Sequence, residues 1–267
     1  MGAFFTDLLA KITTASFSFA DIGAAVRDFF AAMLSGGALA DIFGMIKGYL
    51  DLVAPYMPFI LLALYAVLAE KGFFEKEELK TLRKTASRLQ GHPDMKGVPG
   101  VDMSTGSLGL GISTACGMAL SAKVYGKTNR VYTIVGDGES EEGQVWEAAM
   151  FAAHYKLDNL VAVLDWNGLQ IDGAITEVMN PTPHDEKFRA FGWHVISIDA
   201  HNFDEIEAAF LEAKTVKGKP TVIIAKSVKG KGVSYMENAC EWHGQAPKED
   251  LYKVAMEDLG KIAESLK

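Results

Sequence analysis

Residues 131–148 read VYTIVGDGESEEGQVWEA. The first five are all β-branched or aromatic, which predicts a short buried strand. Gly136, Asp137 and Gly138 then interrupt it, and Gln144 onward returns to apolar residues at helical spacing. A strand that ends on a glycine-flanked carboxylate and turns into a helix belongs to an alternating α/β chain, where ligands collect at the carboxyl ends of parallel strands.

Working outward, the same alternation repeats. LVAVL (160–164), HVISI (194–198) and TVIIA (221–225) read as further buried strands, and helices are expected over 112–126, 142–156 and 203–216. The predicted fold is therefore a three-layer α/β arrangement with a mostly parallel central sheet covered on both faces. Upstream, EKEELKTLRKTASRLQ (75–90) reads as a charged helix, and GHPDMKGVPGVDMSTGSLGLG (91–111) as a glycine- and proline-rich loop.

Composition narrows the function classes. The chain has 267 residues, 49% of them apolar, with a formal net charge of -8. No cluster of Lys and Arg offers a footprint for nucleic acid, so a small molecule or a protein is the expected partner. Cys116 and Cys240 lie far apart without metal-ligand spacing and read as reduced thiols of a cytoplasmic protein. The start, MGAFFTDLL, lacks the basic region of a signal peptide, and its loose match to a myristoylation pattern is read as chance. Leu52 to Ala69 runs eighteen residues without a charge. Pro55 and Pro58 interrupt it, which favours a buried helix over a membrane span. Composition changes near residue 70, so residues 1–70 are taken as an atypical apolar, helical segment of the same fold and 71–267 as the binding domain.

The loop DWNGLQIDG (165–173) follows the second strand as GDG follows the first. Twenty-eight residues separate Gly138 from Asn167, about one helix and one strand, so Asp137 and Asn167 can converge at one rim of the sheet. A carboxylate and an amide oxygen are hard ligands suited to magnesium or calcium. So few protein ligands leave the other positions to phosphate oxygens or water. Asp137 is thus read as a ligand to a metal-bridged phosphate, and Gly138 as a backbone N–H that an anion can approach closely. Glu139 and Glu141 read as a solvated helix start, where carboxylates meet the macrodipole. His154, His184, His194 and His201 are read as structural.

GDG followed after this interval by an asparagine resembles the signature of thiamine diphosphate enzymes. GHPD, STGSLGLG, GDGESEEGQVWEA, NGLQIDG, KGKGVS and WHGQAP stand in the order found in transketolases, and the resemblance runs from about Leu64 to the carboxyl end. The length is similar to that of the amino-terminal subunit of split, two-gene transketolases. The resemblance implies thiamine diphosphate and Mg2+ as cofactors. It implies Asp137 and Asn167 as side-chain metal ligands, the Leu169 carbonyl as a third, and Gly136 and Gly138 beside the diphosphate. Gly106 and Leu108 would line the thiamine ring, His243 would contact the diphosphate, and His92 would contact substrate hydroxyls. Glu142 would lie at the interface through which paired cofactor sites communicate, with Glu147 as its companion; His92, His243 and Glu142 form the catalytic set.

The resemblance also implies what the chain lacks. A carboxyl-terminal transketolase subunit would supply the pyrimidine-binding domain and most sugar phosphate contacts, in an α2β2 assembly. Two family histidines fall on Ile12 and Phe59, Leu110 replaces a glutamine, and Trp166 stands where a small or polar residue is commoner. Alternatives left open are a catalytically degenerate cofactor-binding or assembly subunit, and another thiamine diphosphate enzyme such as a deoxyxylulose phosphate synthase-like one.

Overall fold

The computed structural model describes residues 59–265. Helix α1 (Phe59–Glu70) opens this part. It overlaps the stretch read as a buried helix but buries one side only: Tyr65, Leu68 and Ala69 pack with Phe74, Leu89 and Val98 in a small core of their own, while Leu64 and Val67 are exposed. Among the described residues no helix is long and apolar enough to cross a membrane. Ile12 lies outside the described residues, as does the start of the apolar stretch.

The main sheet has four parallel strands: β1 (Val131–Gly136), β2 (Leu160–Trp166), β5 (His194–Asp199) and β6 (Thr221–Lys226), in the order β1-β2-β6-β5. Because side chains alternate along a strand, β2 and β6 feed two cores. Ala162, Leu164, Val222 and Ile224 face α2 (Leu110–Val124) and α3 (Gly143–His154), while Val161, Ile223 and Ala225 face α6 (Phe203–Thr215). Both faces being buried explains why these strands read as continuous apolar runs. The three layers agree with the architecture expected from the sequence.

Helices α2 and α3 pack through small residues. Ala115, Cys116 and Ala119 meet Ala148, Ala149 and Ala152 within one core, and the Cys116 thiol donates to the Ala148 carbonyl at 3.6 Å. Such side chains let two backbones approach closely and bring the amino-terminal ends of both helices to the same rim as the ends of β1 and β2. A two-stranded hairpin, β3 (Leu169–Gln170) with β4 (Gly173–Ala174), follows β2, then the short helices α4 (Ile175–Val178) and α5 (His184–Ala190). The last element is α7 (Glu249–Ser265).

The structure corrects one element. Residues 75–90 do not form a helix: a 3-10 turn spans only Lys76–Thr81, and Arg83 (φ 60°) and Ala86 (φ 63°) adopt left-handed backbone. Leu89 is buried while its neighbours Arg88 and Gln90 are exposed. Leu79, Leu82 and Leu89 all pack in the small core with Tyr65 and Phe74, and the chain brings them there through the turns at Arg83 and Ala86 rather than along one helix face.

Candidate active site at the rim of the sheet

The loops after β1 and β2 meet through one carboxylate. Asp137 is 2% exposed. One of its oxygens accepts from the Gly138 N–H at 2.8 Å and the other from the Gly168 N–H, next to Asn167. Asn167 is itself held at both ends: its Nδ2 donates to Asp165 at 3.1 Å, and its Oδ1 accepts from the Leu169 N–H at 3.0 Å. The Ser227 hydroxyl, just past β6, donates to the other oxygen of Asp165. Three adjacent strand ends thus contribute to one polar network, which brings the Asp137 and Asn167 loops to one point, with the Leu169 N–H bonded to the Asn167 side chain.

The electrostatics are those of a site short of positive charge. Burial pushes the Asp137 carboxyl above its ordinary range; the Gly168 and Gly138 N–H groups oppose this, and the nearby Asp165 carboxylate adds to it. A bound divalent cation would reverse that balance. The donor set of a carboxylate, an amide and a backbone carbonyl is all oxygen, as magnesium requires. The residues present therefore fit a magnesium site completed by ligand oxygens.

His243 closes a 3-10 turn (Cys240–His243) that packs against β3. Its Nδ1 is buried without a hydrogen-bond partner among the described residues. Burial, then the Lys229 ammonium, lowers its pKa, so the ring is neutral and has an unmet bonding position beside a cation. An anionic ligand such as a diphosphate would satisfy both.

The glycine-rich loop before α2 forms the opposite wall. Gly106 has φ 140°, and a Cβ built there would lie 2.2 Å from Cδ2 of His92, so only glycine lets the histidine ring rest on this backbone. His92 is exposed. Gly106 and Leu108, with Thr105, Tyr132, Ile134 and Glu139, line a cleft of about 890 Å³ along β1. Leu108, on the cleft wall, is 59% exposed.

Glu139 requires a correction. It is no solvated helix-start residue: its two oxygens accept from the Gly109 N–H at 2.9 Å and the Gly136 N–H at 3.1 Å, tying the glycine-rich loop to the end of β1. Glu141 likewise accepts from Gln170 Nε2 at 2.8 Å, and Gln170 lies over Gly138, where a Cβ would come within 3.1 Å of its side chain. Glu142 stands at the N-cap position of α3 without a capping bond and packs its stem against Gly109, while Glu142 and Glu147 are both exposed on this chain. Trp166 stacks edge-on to His184 at 5.4 Å and carries the Lys226 ammonium over its ring at 5.0 Å.

Of the histidines read as structural, His201 accepts from the Val228 N–H at 2.8 Å, and His194 pairs with Glu212 at 2.6 Å. His184 is wholly buried against the metal loop, a place that no sequence motif signals.

Residues 59–265 match the family model for the transketolase, thiamine diphosphate binding domain. The chain is 49% identical over 199 residues to the 6-deoxy-6-sulfo-D-fructose transketolase subunit SqwG of Clostridium sp. (strain MSTE9), covering 74% of this chain and 72% of that one. It is 41% identical over 204 residues to an apulose-4-phosphate transketolase subunit of Phocaeicola vulgatus, covering 76% and 72%. The crystal structure of transketolase from Campylobacter jejuni superimposes with a TM-score of 0.66 at 34% identity, covering 69% of this chain and 30% of that one. The chain thus spans most of the subunit relatives and under a third of the Campylobacter enzyme. By the family model over residues 59–265 and the identity to the subunit relatives, this chain belongs to the transketolase family through its thiamine diphosphate-binding domain.

Proposed function

We propose that this chain is the diphosphate- and magnesium-binding part of a cytoplasmic transketolase, active with a second subunit that carries the pyrimidine-binding domain. The reaction is reversible transfer of a two-carbon ketol unit from a ketose to an aldose. The observation that carries the reading is the meeting of the β1 and β2 loops on Asp137, with Asn167 oriented beside it.

Asp137, Asn167 and the Leu169 carbonyl would hold Mg2+, and Gly138 and His243 would hold the diphosphate. Thiamine diphosphate, when bound, supplies the carbon acid that makes and stabilises the two-carbon carbanion equivalent. The protein's share is placement. The network from Asp165 to Asn167 fixes the amide, the Glu139 clasp fixes the glycine-rich wall, and His92 above Gly106 offers a polar ring at the cleft mouth. Relatives named for a sulfonated and a phosphorylated ketose support an anionic sugar as substrate class. Glu142 and Glu147, exposed on this chain, fit a contact with a second copy in an α2β2 assembly.

The test is magnesium-dependent binding of thiamine diphosphate, measured by calorimetry on the protein purified with its partner. Asp137→Ala should abolish it; a variant that still binds tightly refutes the site. A second reading, a cofactor-binding subunit without turnover, is favoured by Ile12 and Phe59 in place of histidines. Restoring both histidines should then create ketol transfer, whereas an already active wild type eliminates it.

A further inference from the structure

We propose that Ser140 and His184 form a buried positioning pair that sets the metal loop for magnesium and diphosphate. The proposal rests on the site reading above. Both residues are 0% exposed. The Ser140 hydroxyl donates to the Asp137 carbonyl at 2.5 Å, and the Ser140 N–H donates to the same oxygen at 3.1 Å. That carbonyl shares a rigid peptide plane with the Gly138 N–H. Fixing the one aims the other, and with it the Asp137 backbone from which the carboxylate projects.

His184 Nε2 lies 3.0 Å from the Ser140 oxygen. A hydroxyl has one proton, and here it is committed to Asp137. The imidazole must therefore donate from Nε2, leaving Nδ1 as a bare acceptor, and Nδ1 is indeed buried without a partner among the described residues. The same ring meets Trp166 edge-on at 5.4 Å, directly before Asn167. One imidazole thus braces both loops that carry the metal ligands. The Trp146 indole completes the support by donating to the Ser140 carbonyl at 2.9 Å. A core serving only stability would fill this space with an apolar side chain at no cost in unmet bonds; a polar pair with an orphaned acceptor, aimed at Asp137, serves orientation.

Groups that orient metal ligands typically cost about 10–100-fold in metal affinity when removed. Ser140→Ala and His184→Leu are each expected to raise the magnesium concentration for half-maximal thiamine diphosphate binding at least about tenfold. His184→Gln, which keeps a donor, should recover most of the loss. Binding is read by calorimetry on the protein with its partner, with thermal melts alongside. Melts lowered while the magnesium requirement stays at the wild-type value in Ser140→Ala would overturn the proposal, and that variant decides alone if His184→Leu does not fold. Asp137→Ala separates the two levels: wild-type binding in it refutes the site itself, as does wild-type protein that takes up no cofactor.

Discussion

His184 makes the stability of this fold pH-dependent in a calculable way. Burial, with the Lys187 ammonium adding to it and Asp185 opposing, lowers its pKa from 6.5 to about 4. Between those values an unfolded chain binds a proton that the folded chain refuses, because burial strips the imidazolium of water and no described residue offers Nδ1 an acceptor. Stability from this group is therefore complete above pH 6.5, declines as the pH falls, and is gone below about 4. Each pH unit is worth about 1.4 kcal/mol, so the interval amounts to about 3 kcal/mol. Asp137 and His243 also titrate away from their ordinary values, in opposite directions, so the clean quantity is the difference between wild type and His184→Leu. Urea unfolding followed by tryptophan fluorescence from pH 7.5 to pH 4 would measure it. The wild type should lose about 3 kcal/mol relative to the variant over that range. Parallel stability curves would refute the argument, since they would mean that the folded chain accommodates the charged ring.

Three further outcomes are expected. Glu139→Ala, which strands the Gly109 and Gly136 N–H groups, should cost roughly 1.5–3 kcal/mol in denaturant unfolding. Gly106→Ala, with left-handed backbone and a Cβ overlapping His92, should cost about 1–3 kcal/mol and weaken cofactor binding as the ring is displaced; calorimetry on the variant checks this. Burial pushes the Cys116 thiol up to about 11, so a thiol reagent at pH 8 should label Cys240 alone in the folded protein and both cysteines after denaturation.

The strands and the pairing of Asp137 with Asn167 were legible because they rest on short-range patterns: runs of β-branched residues, and glycines flanking a carboxylate. What stayed hidden depends on partners distant in sequence. Glu139 looks like any acidic helix start until Gly109, 30 positions earlier, is seen donating to it. His184 is 44 positions from Ser140, and nothing in PTPHDEKF marks it as buried. The false helix over 75–90 failed for the converse reason. Its residues favour helix locally, but Leu89 is drawn into the core with Tyr65 and Phe74, and the chain turns through Arg83 and Ala86 to reach it. The hairpin after β2 also escaped notice, although Gly168 and Gly173, both at positive φ, stand just before β3 and at the start of β4.

All four strands of the main sheet run in one direction, and Asp137, Asn167, Leu169 and His243 lie at their carboxyl ends or in the loops beyond. Among the described residues, the opposite rim carries none of these four where Lys156–Asn159 and Lys217–Pro220 enter the strands. Six-residue strands hold the two rims roughly 20 Å apart. That separation makes the far rim a handle: a fluorophore or surface tether attached at exposed Lys219 would report on or immobilise the protein while leaving ligand entry clear.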